Sequence, residues 1–405
     1  MSWTLPSFIL AEPVRWNALL SFGSLLLFGL VGGYLATKNR WMPRITGYLL
    51  VGLILGSEGL NWLSGDVLQL ANIFADIAIA LVVYQLGRYV DLGWLRREKW
   101  LMATVMSGAL LCFALVWGAL EWLGVGRPLA MLAGVLAIGT SPSIVIVVVR
   151  DLKAEGMVTR RLAAMAAISN VVALLAAYAL MPALASEGPM PVGILAFHAL
   201  YSLGGSLLLA YVTYRMMIPL ARMLGRQRSR QFVLVIAIIT LTIGAAYALQ
   251  LPLMLTMLAF AILSKNLDLQ YDLMELEFGI ASELFVVILF VTIGASLRLP
   301  GLYTIGALVA GLLCARAVAM GASVALFARP AKLKWRQAAL LSLGTLPMAE
   351  AALGLKQISY LYPHTIAELM PLLAGTLVVS ELLGPIITQF ALIKSGECGR
   401  ELSEP

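Results

Sequence analysis

Apolar runs of about twenty residues, closed by charge or by Pro/Gly clusters, recur along the whole chain, and that is the length one helix needs to cross hydrocarbon. Thirteen such spans are predicted, at 17–36, 43–61, 69–89, 100–122, 128–150, 162–185, 193–221, 231–249, 251–264, 279–297, 302–328, 337–358 and 366–393. The second and ninth are short, and the break between the eighth and ninth rests on Gln250 and Pro252.

Lys and Arg test that count, because they collect in cytoplasmic loops. Loops after odd-numbered spans hold Lys38/Arg40/Arg44, Arg96/Arg97/Lys99, Arg150/Lys153/Arg160/Arg161, Arg222/Arg226/Arg228/Arg230, Lys265 and Arg329/Lys332/Lys334/Arg336, and the tail adds Lys394 and Arg400. The opposite side holds Arg15, Arg127, Arg298 and Lys356. Such a bias requires an odd number of spans, with the N-terminus outside and the C-terminus in the cytoplasm. Twelve spans would scramble it.

Composition agrees. Of 405 residues, 61% are hydrophobic and 12% charged, too little charge to cover a water-soluble protein of this size. The net charge of +7 is therefore topology and gives no sign of nucleic acid. Cys112, Cys314 and Cys398 have no paired spacing, and His198 and His364 are the only histidines. No disulfide framework, resident metal site or cofactor is expected. The first sixteen residues carry Glu12 and Arg15 without a basic leader or cleavage site, so the first span is expected to be retained.

Matched interruptions reveal a repeat. Span 5 contains Gly139-Thr140-Ser141-Pro142 and span 12 contains Gly344-Thr345-Leu346-Pro347, 205 positions apart. Asp76 precedes Gly87 in span 3 as Glu283 precedes Gly294 in span 10; Pro43 matches Pro252; Ser169-Asn170 in span 6 matches Ser380-Glu381 in span 13. The offset of seven spans is odd, so partners cross in opposite directions. The fold class expected is an all-α polytopic membrane protein of one domain over 1–405. Two inverted six-helix repeats, 17–185 and 231–393, flank a linker helix at 193–221, and a short tail fills 394–405. Proline removes an amide donor and glycine loosens the backbone, so both breaks are expected to unwind beside protein or a hydrated cavity. Packing kinks are the plainer alternative.

Each ionisable group within the membrane needs a reason, since insertion costs at least about 2.5–3.5 kcal/mol. Glu350, three residues after Pro347, suits proton exchange or cation coordination, or else pairs with Arg316. Arg316, near mid-span, must meet a carboxylate, a helix C-terminus or water. Asp76 and Glu283 are expected to line a wet vestibule, and Glu381 to serve a buried network. The histidines are expected to be surface or packing residues. The Gly29/Gly33 and Gly52/Gly56 spacings fit a dimer face or internal packing equally.

Several motifs resemble the cation:proton antiporter superfamily, especially bacterial sodium/proton and Kef-type potassium/proton antiporters: Pro43-Arg44-Ile45-Thr46-Gly47-Tyr48 with Gly52 and Gly56, the Thr140-Ser141-Pro142 break, Ala349-Glu350, Gly384-Pro385, and Ala391 to Glu397 at the end. The resemblance implies crossing of broken helices 5 and 12, a moving core of helices 4–6 and 11–13, a dimerising scaffold of helices 1–3 and 8–10, and an elevator-like movement in a bacterial inner membrane. It implies a monovalent cation (Na⁺ or K⁺) and a proton as substrates. It also implies an acidic pair in helix 6 partnered by a basic residue in helix 11. Arg316 takes the basic position, but the acidic pair reads Ser169-Asn170. Asn cannot release a proton near neutral pH, although its carbonyl can ligate a cation. Thr140, Ser141, Ser169, Asn170, Arg316 and Glu350 are thus the candidate ion or coupling residues, with an uncoupled or anion-selective carrier, or a non-transporting sensor, as alternatives. No nucleophile–base or metal set suggests an enzyme. The tail leaves no room for a nucleotide-binding domain, so regulation is absent, supplied by a separate subunit, or carried beyond residue 405.

Overall fold

The computed structural model describes residues 18–39, 42–57, 59–63, 65–185, 192–225, 227–267, 279–297, 302–348 and 363–398. These residues form fifteen helices and no strand: α1 (Ala18–Thr37), α2 (Arg44–Leu55), α3 (Gly65–Arg88), α4 (Leu92–Arg97), α5 (Lys99–Trp122), α6 (Arg127–Leu136), α7 (Pro142–Asp151), α8 (Met157–Ala185), α9 (Val192–Leu224), α10 (Arg228–Ala248), α11 (Leu253–Leu267), α12 (Gly279–Ser296), α13 (Leu302–Ala328), α14 (Trp335–Gly344) and α15 (Pro363–Ser395). Seven of them, α1, α5, α8, α9, α10, α13 and α15, contain stretches long and apolar enough to cross a membrane. The chain is a multi-pass, all-helical membrane protein.

Local chemistry sets most boundaries. Pro43 stands in extended conformation at the N-cap of α2, and Gly56 closes that helix by donating to the Gly52 carbonyl. Gln250 adopts a left-handed φ of 52° between α10 and α11, so the weakest break in the sequence is a true turn. Helix α4 was not foreseen: six residues are too few to register as a span, and it forms because the Asp91 carboxylate accepts from the Trp94 amide. Helix α8 begins five residues before its predicted start.

Two groups of helices matter for the site. In the first, α2 lies against α1 and α12, and α3 against α11 and α12. The α2–α12 seam is backbone on backbone: a Cβ at Gly52 would lie 2.2 Å from the Val291 carbonyl oxygen, and one at Gly294 would lie 2.3 Å from that of Leu49. Gly29 faces Val287 and Val291, and Gly33 faces Tyr48, so both glycine spacings serve internal packing. In the second group, α5 packs on α13 and α6, and α14 packs on α13 and α15. Helix α8 touches α5, α6, α7 and α14.

Candidate functional site at the helix breaks

Helix α6 stops at Leu136, residues 137–141 are not helical, and α7 starts at Pro142. Proline at a first helical position loses no hydrogen bond, and the Ser141 hydroxyl caps α7 by accepting from the Ile144 amide at 3.2 Å. Helix α14 stops at Gly344, and the chain runs on through Met348 without helix. The two non-helical stretches meet. Ser141 N donates to the Pro347 carbonyl at 2.9 Å, and Thr140 Oγ1 donates to the Thr345 carbonyl at 3.1 Å. Polar backbone freed from a helix in a buried place such as this must find partners inside the protein, and here each break supplies them to the other.

Arg316, on α13, is fully buried and caps this junction. Its Nη2 donates to the Thr345 carbonyl at 2.9 Å, to Thr140 Oγ1 at 3.3 Å and to the Pro347 carbonyl at 3.4 Å. Its Nε donates to the Leu346 carbonyl at 3.2 Å. Of the three partners open to it, Arg316 has met a helix C-terminus: the carbonyls just past α14, where the helix dipole is negative. Among the described residues Nη1 has no hydrogen-bond partner and no carboxylate forms an ion pair with Arg316.

Helix α8 closes the first break from the side. Ser169 Oγ accepts from the Thr140 amide at 3.2 Å and donates to the Ala166 carbonyl, also at 3.2 Å. Asn170 Nδ2 donates to the Thr140 carbonyl and to the Ala166 carbonyl at 2.8 Å. With both N–H donors engaged, Oδ1 is the atom left to accept; it lies 3.1 Å from where a Cβ at Gly139 would stand. The second break has the same device on α15, where Ser380 Oγ accepts from the Met348 amide at 2.6 Å. The neighbouring Glu381 is buried. A cavity of about 10 Å³ lies beside the junction, touched by Thr104, Thr140, Ser169 and Thr345 and otherwise walled by apolar or small residues. It has room for about one water.

The structure therefore brings together Gly139, Thr140, Ser141, Pro142, Ser169, Asn170, Arg316, Gly344, Thr345 and Pro347. Asp76 and Glu283 lie elsewhere. Tyr247 Oη donates to Asp76 at 2.9 Å, and Glu283 pairs with Arg44 at 3.1 Å. Glu350 falls outside the described residues, as do the side chains of His198 and His364. Sequence reasoning missed Thr104, which shares its mostly apolar helix with one other hydroxyl, Ser107, and the three carbonyls around Arg316, which no side chain advertises.

Comparison with known proteins gives this geometry a family. The family described as sodium/hydrogen exchanger, transmembrane, matches residues 23–394. A Na(+)/H(+) antiporter of Enterococcus hirae is 29% identical over 129 residues, 32% of this chain and 33% of that protein, so the match spans about a third of the relative's length. Two structures of the sodium proton antiporter MjNhaP1 from Methanocaldococcus jannaschii, one at pH 8 and one an electron-microscopy map, each cover 93% of this chain and 95% of their own. They are 15% and 16% identical, with TM-scores of 0.64 and 0.69, a likeness of fold. The match over nearly the whole chain, to a family of transporters and not of enzymes, places this protein in the transmembrane sodium/hydrogen exchanger family.

Proposed function

We propose that the protein exchanges a monovalent cation, Na⁺ or K⁺, for protons across a bacterial plasma membrane, with the N-terminus outside and the C-terminus in the cytoplasm. The observation that carries this reading is the junction of the two breaks around buried Arg316. It places two half-helix ends and several oxygens at one point, the arrangement by which interrupted membrane helices hold ions. In this reading thirteen spans form two inverted repeats, 17–185 and 231–393, and a homodimer of scaffolds carries cores that move like elevators.

Coupling needs a titrating group. Asn170 cannot be one, so Glu350, three positions beyond Pro347 in the chain, is assigned that role. A single carboxylate cannot hold a proton and a cation at once, and competition for it yields exchange. Asn170 Oδ1 then acts as a neutral ligand.

The test uses liposomes with a trapped pH dye and imposed Na⁺, K⁺ or Li⁺ gradients. Cation-driven proton movement in the wild type that is lost in Glu350→Gln supports the assignment. A silent wild type in which Asn170→Asp alone creates exchange removes it. A second reading, an uncoupled or anion-selective carrier, is favoured by one observation: among the described residues the Nη1 group of Arg316 has no hydrogen-bond acceptor. Proton-independent flux that persists in Glu350→Gln would select that reading.

A further inference from the structure

The first turn of α8 is tied to four other segments by four consecutive residues. The amides of Val158 and Thr159 donate to the two carboxylate oxygens of Glu397 at 2.8 and 2.7 Å, and Thr159 Oγ1 adds a third bond at 2.7 Å. Arg160 pairs with Asp91 at 3.6 Å and stacks 4.3 Å over the Trp94 ring. Arg161 Nη2 donates to Glu98 at 2.9 Å and to the Ala331 carbonyl at 3.0 Å.

Glu397 does for α8 what a local Asp or Ser does for most helices. Its carboxylate accepts from two amides that a helix start leaves without intrahelical partners, with its charge at the positive end of the dipole. The chain provides no cap of its own there, because the residue before Met157 is Gly156. That glycine is fitted to the visitor: a Cβ at position 156 would lie 2.1 Å from Glu397 Cδ and 2.4 Å from its Cγ. The tail is held to the same place by its backbone, the Glu155 amide donating to the Glu397 carbonyl at 2.8 Å. Gly396, at φ 78°, provides the left-handed turn that ends α15 and aims Glu397 back at α8.

A helix is stiff along its axis, rising about 1.5 Å per residue. Fixing its first turn fixes Ser169 and Asn170, eleven or twelve residues along, against the carbonyl and amide of Thr140. We propose that Glu397 is a positioning residue for the ion site. From 227 positions away in sequence, it sets the height of Asn170 in the break and joins the C-terminal tail to the unit that carries the ion. This rests on the exchange reading for its transport consequence, but the positioning itself does not depend on transport.

The experiment compares full-length wild type with Glu397→Ala, Gly156→Ala and the double variant. Hydrogen exchange of the Thr140 and Ser141 amides is followed in detergent, and the Na⁺ dependence of exchange is followed in liposomes. Each single variant is expected to speed exchange at those two amides and to raise the half-saturating Na⁺ concentration, by about threefold to tenfold, the scale of a lost helix cap. Maximal rate per folded protein stays near wild type, which separates positioning from loss of folded protein. The double variant is expected to fall well short of the sum of the single ones, because Gly156→Ala acts mainly by displacing a side chain that Glu397→Ala has removed, and only the smaller cost of alanine at an N-cap adds to it. Wild-type protection at Thr140 and Ser141 in both single variants, or additive effects in the double, would overturn the proposal. If the wild type moves no cation at all, the exchange reading fails and the amide measurement still decides the positioning.

Discussion

Ser141 and Pro347, 206 positions apart in sequence, share a backbone hydrogen bond of 2.9 Å, so the two interrupted helices meet main chain to main chain. A mutation that straightened either break into continuous helix would strip the other of its partner. The junction is therefore one cooperative structure.

The Thr140 hydroxyl has two duties in the junction, donating to the Thr345 carbonyl and accepting from Arg316. Thr140→Val keeps the shape and removes the hydroxyl. It should cost about 1–3 kcal/mol of stability, the usual toll of a buried polar group losing its partner, and sharply reduce cation-driven proton movement. Thr140→Ser should retain most of both. Thermal unfolding in detergent and liposome assays check the pair.

Arg316 reaches three carbonyls with a planar fork, which a point charge cannot copy. Arg316→Lys should fold and lose at least about tenfold in exchange rate, since each misplaced kilocalorie and a half in the site costs about that factor. Arg316→Met, which takes the Nε donor from the Leu346 carbonyl and one of two donors from the carbonyls of Thr345 and Pro347, should melt at a lower temperature than Arg316→Lys. Equal melting of the two would mean that a point charge without the fork gives the carbonyls nothing, and wild-type melting of Arg316→Lys would mean that charge alone suffices.

The Arg161 side chain is 4% exposed and its partner Glu98 is 26% exposed, while among the described residues Nε and Nη1 of Arg161 have no hydrogen-bond partner. Removing one member of a buried pair costs about 3–5 kcal/mol, and the partial exposure of Glu98 puts Glu98→Ala at the lower end. Adding Arg161→Met to Glu98→Ala should recover much of that loss, because the stranded charge goes with it. A double-mutant cycle on melting temperature is the measurement.

Asp91 gives a pH signature at the surface. The Trp94 amide bonded to its carboxylate holds its pKa below the ordinary 3.8, helped by Gly93 and Arg160. A carboxyl lowered on folding stabilises at neutral pH, and that contribution is lost as pH falls through the lowered value. Trp94 fluorescence should thus stay constant from neutral pH down to the ordinary carboxylate range and change only below it. Asp91→Asn, which keeps an acceptor but cannot titrate there, should abolish the acid transition; Asp91→Ala should show the frayed signal already at pH 7.

Much of this was legible in the sequence, for identifiable reasons. A span needs a run of apolar residues about 30 Å long, so the long helices announce themselves, and Gly139 to Pro142 announces a break because proline and glycine act on the backbone locally. What stayed hidden depends on distant partners. Helix α8 starts at Met157 because Glu397 caps it from the far end of the chain, and no local residue signals that start. Arg316 had three physically allowed partners, and the backbone carbonyls it took are common to every residue type. The predicted span 69–89 puts Asp76 in its first half, toward the start, but α3 begins at Gly65 and puts it at mid-helix, where it meets Tyr247.

The seam at Gly52 and Gly294 has a further consequence. In lipid, helices gain little by hiding apolar surface from one another, and their association draws on close van der Waals fit. Two helices that touch through their main chains have no side-chain rotamers to loosen as temperature rises, so this contact should resist detergent and heat longer than contacts made by leucine and phenylalanine. When the protein is extracted from its membrane and begins to fail, α2 and α12 should be the last pair to separate.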